Sequence, residues 1–224
     1  MEKITLDATE RCFKNSAIIR LSQHGFTKGK SCLTDLIPFC NKVIYLMGEG
    51  KAVDIAFLDF RKAFDAIPHS NIPSELFICE MSRYMIGCVR NWLNVGAPGG
   101  IVNGATSGWQ PATSSVPQGS ILGLVLFDIF NNDLEGGVEC TLCKFTDNVK
   151  LGGAGDSHEG QNTLQRDLER LQHWVIINGM KLNKNKCQIL HLGWSNIGHK
   201  HKLGEEWLES SPAERGCSLT AGLI

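Results

Sequence analysis

Two aspartates stand where apolar strands would end in this 224-residue chain. The run Val53-Asp54-Ile55-Ala56-Phe57-Leu58 is nearly continuous in apolar and β-branched residues and closes on Asp59. A second, mostly apolar stretch, Val138 to Leu142, leads into Phe145-Thr146-Asp147-Asn148, the pattern of a strand-turn-strand with an acidic tip. Carboxylates at two strand ends can hold divalent metal ions. Two such ions about 3.5–4 Å apart serve in-line phosphoryl transfer. The residue after Asp147 is an amide, so the tip carries one charge where a carboxylate pair would carry two. Taken alone, Asp59 reads equally as an exposed strand-end aspartate. Asp147 reads also as a turn residue, since Asp-Asn is good turn chemistry.

The elements that must position these groups follow from periodicity. A Gly/Lys-rich turn at Gly25–Lys30 precedes an apolar-periodic helix through Leu33, Leu36, Ile37, Cys40, Val43 and Ile44, with Pro38 a point of interruption. Val53–Leu58 has the pattern of a strand covered on both faces. Phe60–Ile67 is expected to turn helical, with Phe60, Ala63, Phe64 and Ile67 on one face, until Pro68 stops it. A longer helix is expected from Ser74 to Leu93, then a glycine-rich loop or loose hairpin from Val95 to Gly108. Ser120–Leu134 has a helical period, residues 138–151 form the hairpin, and Gln188–Leu192 is a short strand. Between these last two, Leu164, Leu168, Leu171 and Val175 make a helical stripe. Asp156 is its expected cap with Glu159 as capping-box partner, and Gly179 its expected end. This order implies an α+β fold, an antiparallel sheet with helices on one face.

Composition sets looser bounds. Hydrophobic content of 42% and charged content of 20% describe a globular chain long enough to bury a core. The net charge of −1 lends no overall attraction for phosphates, but it is uneven. Lys181 to Lys202 holds five lysines and three histidines with no Asp or Glu. That stretch could track a phosphate backbone, or could be a solvated basic face. The nine cysteines are scattered, and Cys140-x2-Cys143 lacks a second pair at zinc spacing. Reduced thiols and an intracellular setting, cytoplasmic or nuclear, are expected. His191, His199 and His201 are too loosely spaced to argue a metal. No apolar run reaches the roughly 18 residues of a membrane span, so no membrane partner is expected.

Three segments occur in the order of polymerase motifs A, B and C: Val53–Asp65 with its Asp59-x5-Asp65 spacing, Ser115-Val116-Pro117-Gln118-Gly119-Ser120-Ile121-Leu122-Gly123, and Phe145–Asn148. Gln23–Cys32 and Asn183–Cys187 extend the match at both ends. Together they resemble the reverse transcriptase of non-LTR (LINE-type) retrotransposons, particularly the jockey-like and chicken-repeat groups, from about Met1 to about Arg215. The resemblance implies a right-hand polymerase palm. Residues 1–50 would be partial fingers, residues 51–193 the palm and residues 194–224 a divergent tail with the thumb missing. It implies an RNA-directed DNA polymerase acting with Mg²⁺ (or Mn²⁺) on an RNA template, a DNA primer and deoxynucleoside triphosphates.

The resemblance also assigns roles. Asp59, the Phe60 carbonyl and Asp147 would be metal ligands, and Lys186 the acid for the pyrophosphate leaving group. Phe64 would lie under the incoming sugar and exclude a 2′-hydroxyl. Lys28 and Lys30 would meet the triphosphate, and Pro117, Gln118 and Gly119 the nucleotide and template. Each has a plainer reading: loop lysines at Lys28 and Lys30, a core phenylalanine at Phe64, a helix start at Pro117 and a surface lysine at Lys186. The chain departs from the family at Asn148, where Asp is usual after an Ala that is here Thr146. It departs also at Ser115 for Gly, at Leu124 for Pro, and at Ala97–Gly100, where arginines are usual. Asn148 lowers the charge of the metal site, so catalysis is expected to be impaired in this copy. A non-catalytic palm remnant with at most nucleic-acid binding is the alternative.

Overall fold

The computed structural model describes residues 32–79, 81–94, 101–102, 105–106, 114–116 and 120–211. In chain order the elements are α1 (Cys32–Gly48), β1 (Val53–Asp59), α2 (Ala63–Ala66), α3 (Ile72–Ile78), α4 (Arg83–Asn94), β2 (Ile101–Val102), β3 (Ala105–Thr106) and α5 (Ile121–Phe130). There follow a 3-10 turn at Asn132–Glu135, β4 (Thr141–Phe145), β5 (Asn148–Ala154), α6 (His158–Ile177), a 3-10 turn at Lys184–Lys186, β6 (Gln188–Leu192), β7 (Lys202–Leu203), β8 (Glu206–Trp207) and β9 (Glu209–Ser210). The chain divides into two compact units. Among the described residues one comprises 32–61 and 133–211, the other 62–132.

The first unit is built on a five-stranded sheet in the order β4-β5-β1-β6-β9. β1 lies at its centre, antiparallel to β5 and β6, while β9 runs parallel to β6. A central strand has no solvent face, which is why Val53, Ile55 and Ala56 are fully buried. The two covers are distinguished at adjacent glycines of β5. A Cβ on Gly152 would meet the Phe39 ring of α1 at 3.2 Å, and one on Gly153 would meet Leu164 of α6 at 3.3 Å. Successive residues of a strand point to opposite faces, so α1 and α6 sandwich the sheet. The expectation of helices on one face is thus corrected, and the cause is the continuous apolar run of β1 itself. On the α1 face Phe39 and Val43 pack with Val53, Ile55, Cys143 and Leu190.

Local chemistry explains the other departures. α1 runs unbroken through Pro38. Ser157, not Asp156, caps α6, its hydroxyl accepting the Gly160 N–H at 3.2 Å. Gly160 fixes that start, because a Cβ there would fall 2.4 Å from the Ala154 carbonyl oxygen. The helix ends where Gly179 takes φ +67°.

In the second unit the expected Ser74–Leu93 helix is two helices, α3 and α4. Ser82 begins the second, with its hydroxyl accepting the Met85 N–H at 3.3 Å. The helical turn after β1 is only Ala63–Ala66. Ser120 caps α5 by accepting the Gly123 N–H at 2.8 Å. Leu122, Leu126, Phe127, Ile129 and Phe130 of α5 are buried. Residues 64–69 and 114–116 are tied together: the Val116 N–H donates to Phe64 O, the Ser115 N–H to Ile67 O, and Pro68 bridges Ser114.

Candidate active site

Antiparallel pairing brings the two sequence-singled aspartates to one end of the sheet. The β1–β5 register sets Asp59 opposite Asn148, and the Phe60 N–H donates to the Asp147 carbonyl at 3.0 Å. β4 and β5 are joined by the two-residue turn Thr146-Asp147, closed by the Phe145–Asn148 pair. Thr146 holds φ +56°. A β-branched residue is strained there, in a position that suits glycine. The third strand end is supplied by the segment before β6. The Asn183 N–H donates to Asp59 O at 2.7 Å, the Arg61 N–H to Lys181 O at 2.8 Å, and Phe60 bridges Leu182. The Phe60 ring meets Trp174 of α6 at 6.1 Å between centroids.

Two carboxylates and the Lys186 ammonium set the electrostatics of this end. Asp59 is buried at 8% exposure and Asp147 is half-buried. Desolvation raises the Asp147 carboxyl above its ordinary value. The Asp59 charge adds to that, while the Asp147 N–H and the Lys186 ammonium act in the opposite sense. Each carboxylate is approached by a donor of the chain: Lys186 Nζ lies 3.3 Å from Asp59 Oδ2, and Asn148 Nδ2 lies 3.4 Å from Asp147 Oδ1. Two neighbouring carboxylates whose repulsion is only partly offset form a hard-oxygen donor set of the kind Mg²⁺ takes, so the residues present fit such an ion. The amide at position 148 can offer oxygen but no charge. No group of three or more His, Cys, Asp or Glu at metal-binding spacing occurs among the described residues.

Of the other sequence-singled residues, Phe64 packs on Phe127 at 4.7 Å between centroids, within the unit of residues 62–132. Lys28, Lys30, Pro117, Gln118 and Gly119 lie outside the described residues. Cys187 is buried beside Asp59, and burial pushes its thiol up, marking it as a structural cysteine. Cys40, Cys79, Cys88, Cys140, Cys143 and Cys187 form no disulfide.

A family model described as reverse transcriptase (RNA-dependent DNA polymerase) matches residues 1–209. The chain belongs to the reverse transcriptase family. It is similar to the RNA-directed DNA polymerase from mobile element jockey of Drosophila melanogaster, with 25% identity over 199 residues, covering 84% of this chain and 21% of that protein. The chain thus spans about a fifth of the length of this relative. Two solved structures share the fold at low identity. Telomerase from Candida tropicalis in complex with a fragment of telomeric RNA superposes with TM-score 0.62 at 10% identity, over 85% of this chain and 33% of that one. The apo enzyme truncated from its C-terminal domain gives 0.60 at 7% identity, over 89% and 42%. The reverse transcriptase palm is therefore the fold, and the LINE-type resemblance carried by the motifs agrees with the jockey match.

One group passed over in the sequence is a fully buried charge in the central strand. Asp54, fully buried on the α6 face, takes hydrogen bonds from His191 Nδ1 at 2.7 Å, Asn196 Nδ2 at 2.7 Å and His201 Nε2 at 3.3 Å. Burial works to raise its carboxyl, but these bonds and the charge of His191 outweigh it and hold it below the usual carboxylate range. The signal was a carboxylate inside an otherwise apolar strand, with the histidines downstream.

Proposed function

We propose that this chain is the RNA-directed DNA polymerase core of a non-LTR retrotransposon, with residues 1–50 in the fingers, 51–193 in the palm and 194–224 divergent. The observation that carries the reading is the meeting of Asp59 and Asp147 at one sheet end, flanked by Lys186. Asp59, the Phe60 carbonyl and Asp147 would hold Mg²⁺ or Mn²⁺, which would stabilise negative charge on the attacking 3′-oxygen and the leaving pyrophosphate. Lys186, 65% exposed beyond its contact with Asp59, can deliver a proton to that leaving group. Phe64 screens the sugar. Lys28, Lys30, Pro117, Gln118 and Gly119 meet the triphosphate, the nucleotide and the template. RNA template, DNA primer and deoxynucleoside triphosphates are the partners.

Asn148 weakens the site. A missing unit charge about 4 Å from a divalent cation costs roughly 2–8 kcal/mol between bulk-water and surface-pocket dielectrics. Preorganised charge is most of what this chemistry requires, so the copy is impaired. A second reading is a non-catalytic nucleic-acid-binding remnant. What favours it is that Lys186 and the Asn148 amide already engage the two carboxylates. A Mn²⁺ titration followed by electron paramagnetic resonance tests the metal assignment. Asn148→Asp should bind at least fivefold tighter than the native chain, and Asp59→Asn should lose binding. Equal affinity in all three would sink it.

A further inference from the structure

A second feature of the same unit stands at the far end of β1 from the carboxylates, six residue steps or about 20 Å away. There β6 ends in a tight turn that presents Trp194 with 97% of its surface exposed. The turn is built rather than loose. Gly193 takes φ +96° and packs so closely on β1's entry that a Cβ would lie 3.0 Å from Ala52 Cα. The Asn196 N–H donates to Gly193 O at 3.2 Å. The Asn196 side chain donates to Leu192 O, Val53 O and the buried Asp54 carboxylate, and its oxygen accepts the Gly198 N–H at 2.8 Å. Ser195 Oγ donates to Gly50 O. An indole on so fixed a base loses little freedom when something stacks on it.

The other tryptophans of this unit have partners: Trp174 Nε1 donates to Asp133, and Lys202 Nζ lies 4.6 Å over the Trp207 ring. The charge around Trp194 chooses its occupant. No carboxylate occurs from Lys181 to Gly204, and exposed Glu49 stands beside Gly50, where Ser195 of the turn makes its contact. After the turn the chain passes through exposed His199 and Lys200 and returns to the Asp54 hub at His201, while exposed Lys51 precedes β1 on the other side. Stacking faces with nearby lysines are how proteins hold unpaired nucleic acid.

We propose that Trp194, with Lys51 and Lys200, is a stacking post for a single-stranded stretch of RNA, remote from the polymerising end. This rests on the reading of the chain as a polymerase that copies RNA. The test is fluorescence anisotropy of a labelled 12-nucleotide uridine RNA with the full chain, in EDTA and in Mg²⁺. Trp194→Ala should weaken binding about ten- to hundredfold in both conditions, and Trp194→Phe should restore most of it. Lys51→Ala with Lys200→Ala should flatten the salt dependence. Thermal unfolding should be unchanged, because the ring is exposed. The proposal is overturned if Trp194→Ala binds like the native chain, if the native chain does not bind, or if Trp194→Ala alters only self-association. Primer extension by Asn148→Asp is scored separately. Extension with unchanged Trp194→Ala affinity overturns the post alone, and stacking without extension overturns the polymerase reading alone.

Discussion

Replacing Asp54 by Asn should be the most damaging single-atom-type change in the sheet. The carboxylate is fully buried and holds β1 to β6 through His191 and to the following turn through Asn196, each at 2.7 Å, with His201 at 3.3 Å. A hydrogen bond to a charged group is worth roughly 1.5–3 kcal/mol. The two short bonds share Oδ1, so an amide at position 54 either keeps both with its oxygen and turns its N–H toward the His201 donor on the other side, or flips and faces both short-bond donors with an N–H. His201, whose Nδ1 is already buried without a partner, is then left with less still. The loss should be about 3–5 kcal/mol, the usual cost of breaking a buried charged network from one side. In urea unfolding at pH 7, with a slope of roughly 2 kcal/mol per molar, the midpoint should fall by about 2 M. The pH dependence supplies a second check. The folded-state carboxyl lies below its unfolded value, so the stabilisation is complete above the ordinary carboxylate pKa and is lost as pH falls through the folded one. The gap between native and Asp54→Asn should therefore narrow from pH 5 toward pH 2. A loss under 1 kcal/mol, or a gap that stays constant over that range, would refute the reasoning.

Two further outcomes follow from backbone strain and charge. Ser115 holds φ +96°, so Ser115→Gly should gain about 1 kcal/mol, strain relief of roughly 1–3 less glycine's entropy of 0.5–1, read as a higher thermal midpoint. Asp147, raised by desolvation and by Asp59, is more readily protonated folded than unfolded. Stability should therefore decline as pH rises through its folded-state pKa, and Asp147→Asn should remove that decline. It should raise stability at pH 7, measured by urea unfolding, and should abolish primer extension in the Asn148→Asp background.

Much of this architecture was legible because apolar periodicity is a local property. The α6 stripe of Leu164, Leu168, Leu171 and Val175 and the β6 strand stand where their patterns place them, and the β4–β5 hairpin is present but runs Thr141–Ala154, not 138–151. What escaped was decided by contacts between distant segments. Asp156 and Ser157 are both good caps, and the choice belongs to Gly160 packing on Ala154. Ser82, an ordinary serine in a helical run, splits that run because its hydroxyl caps a new start. The face that each helix covers shows only in the opposite neighbours of Gly152 and Gly153. At the candidate site Asp59 and Asp147 could be singled out, since a carboxylate closing an apolar strand is conspicuous. Asp54 was hidden in the same run, because its partners arrive from more than 130 residues away.

The central claim is that Asp59 and Asp147 form a polymerase metal site that Asn148 leaves short of one charge. Primer extension on an RNA template with Mg²⁺ tests it most directly, comparing the native chain, Asn148→Asp and Asn148→Asp with Asp59→Asn. The account predicts extension by Asn148→Asp, little or none by the native chain, and none once Asp59 is also changed. Robust extension by the native chain, or extension that survives the loss of Asp59, would contradict it.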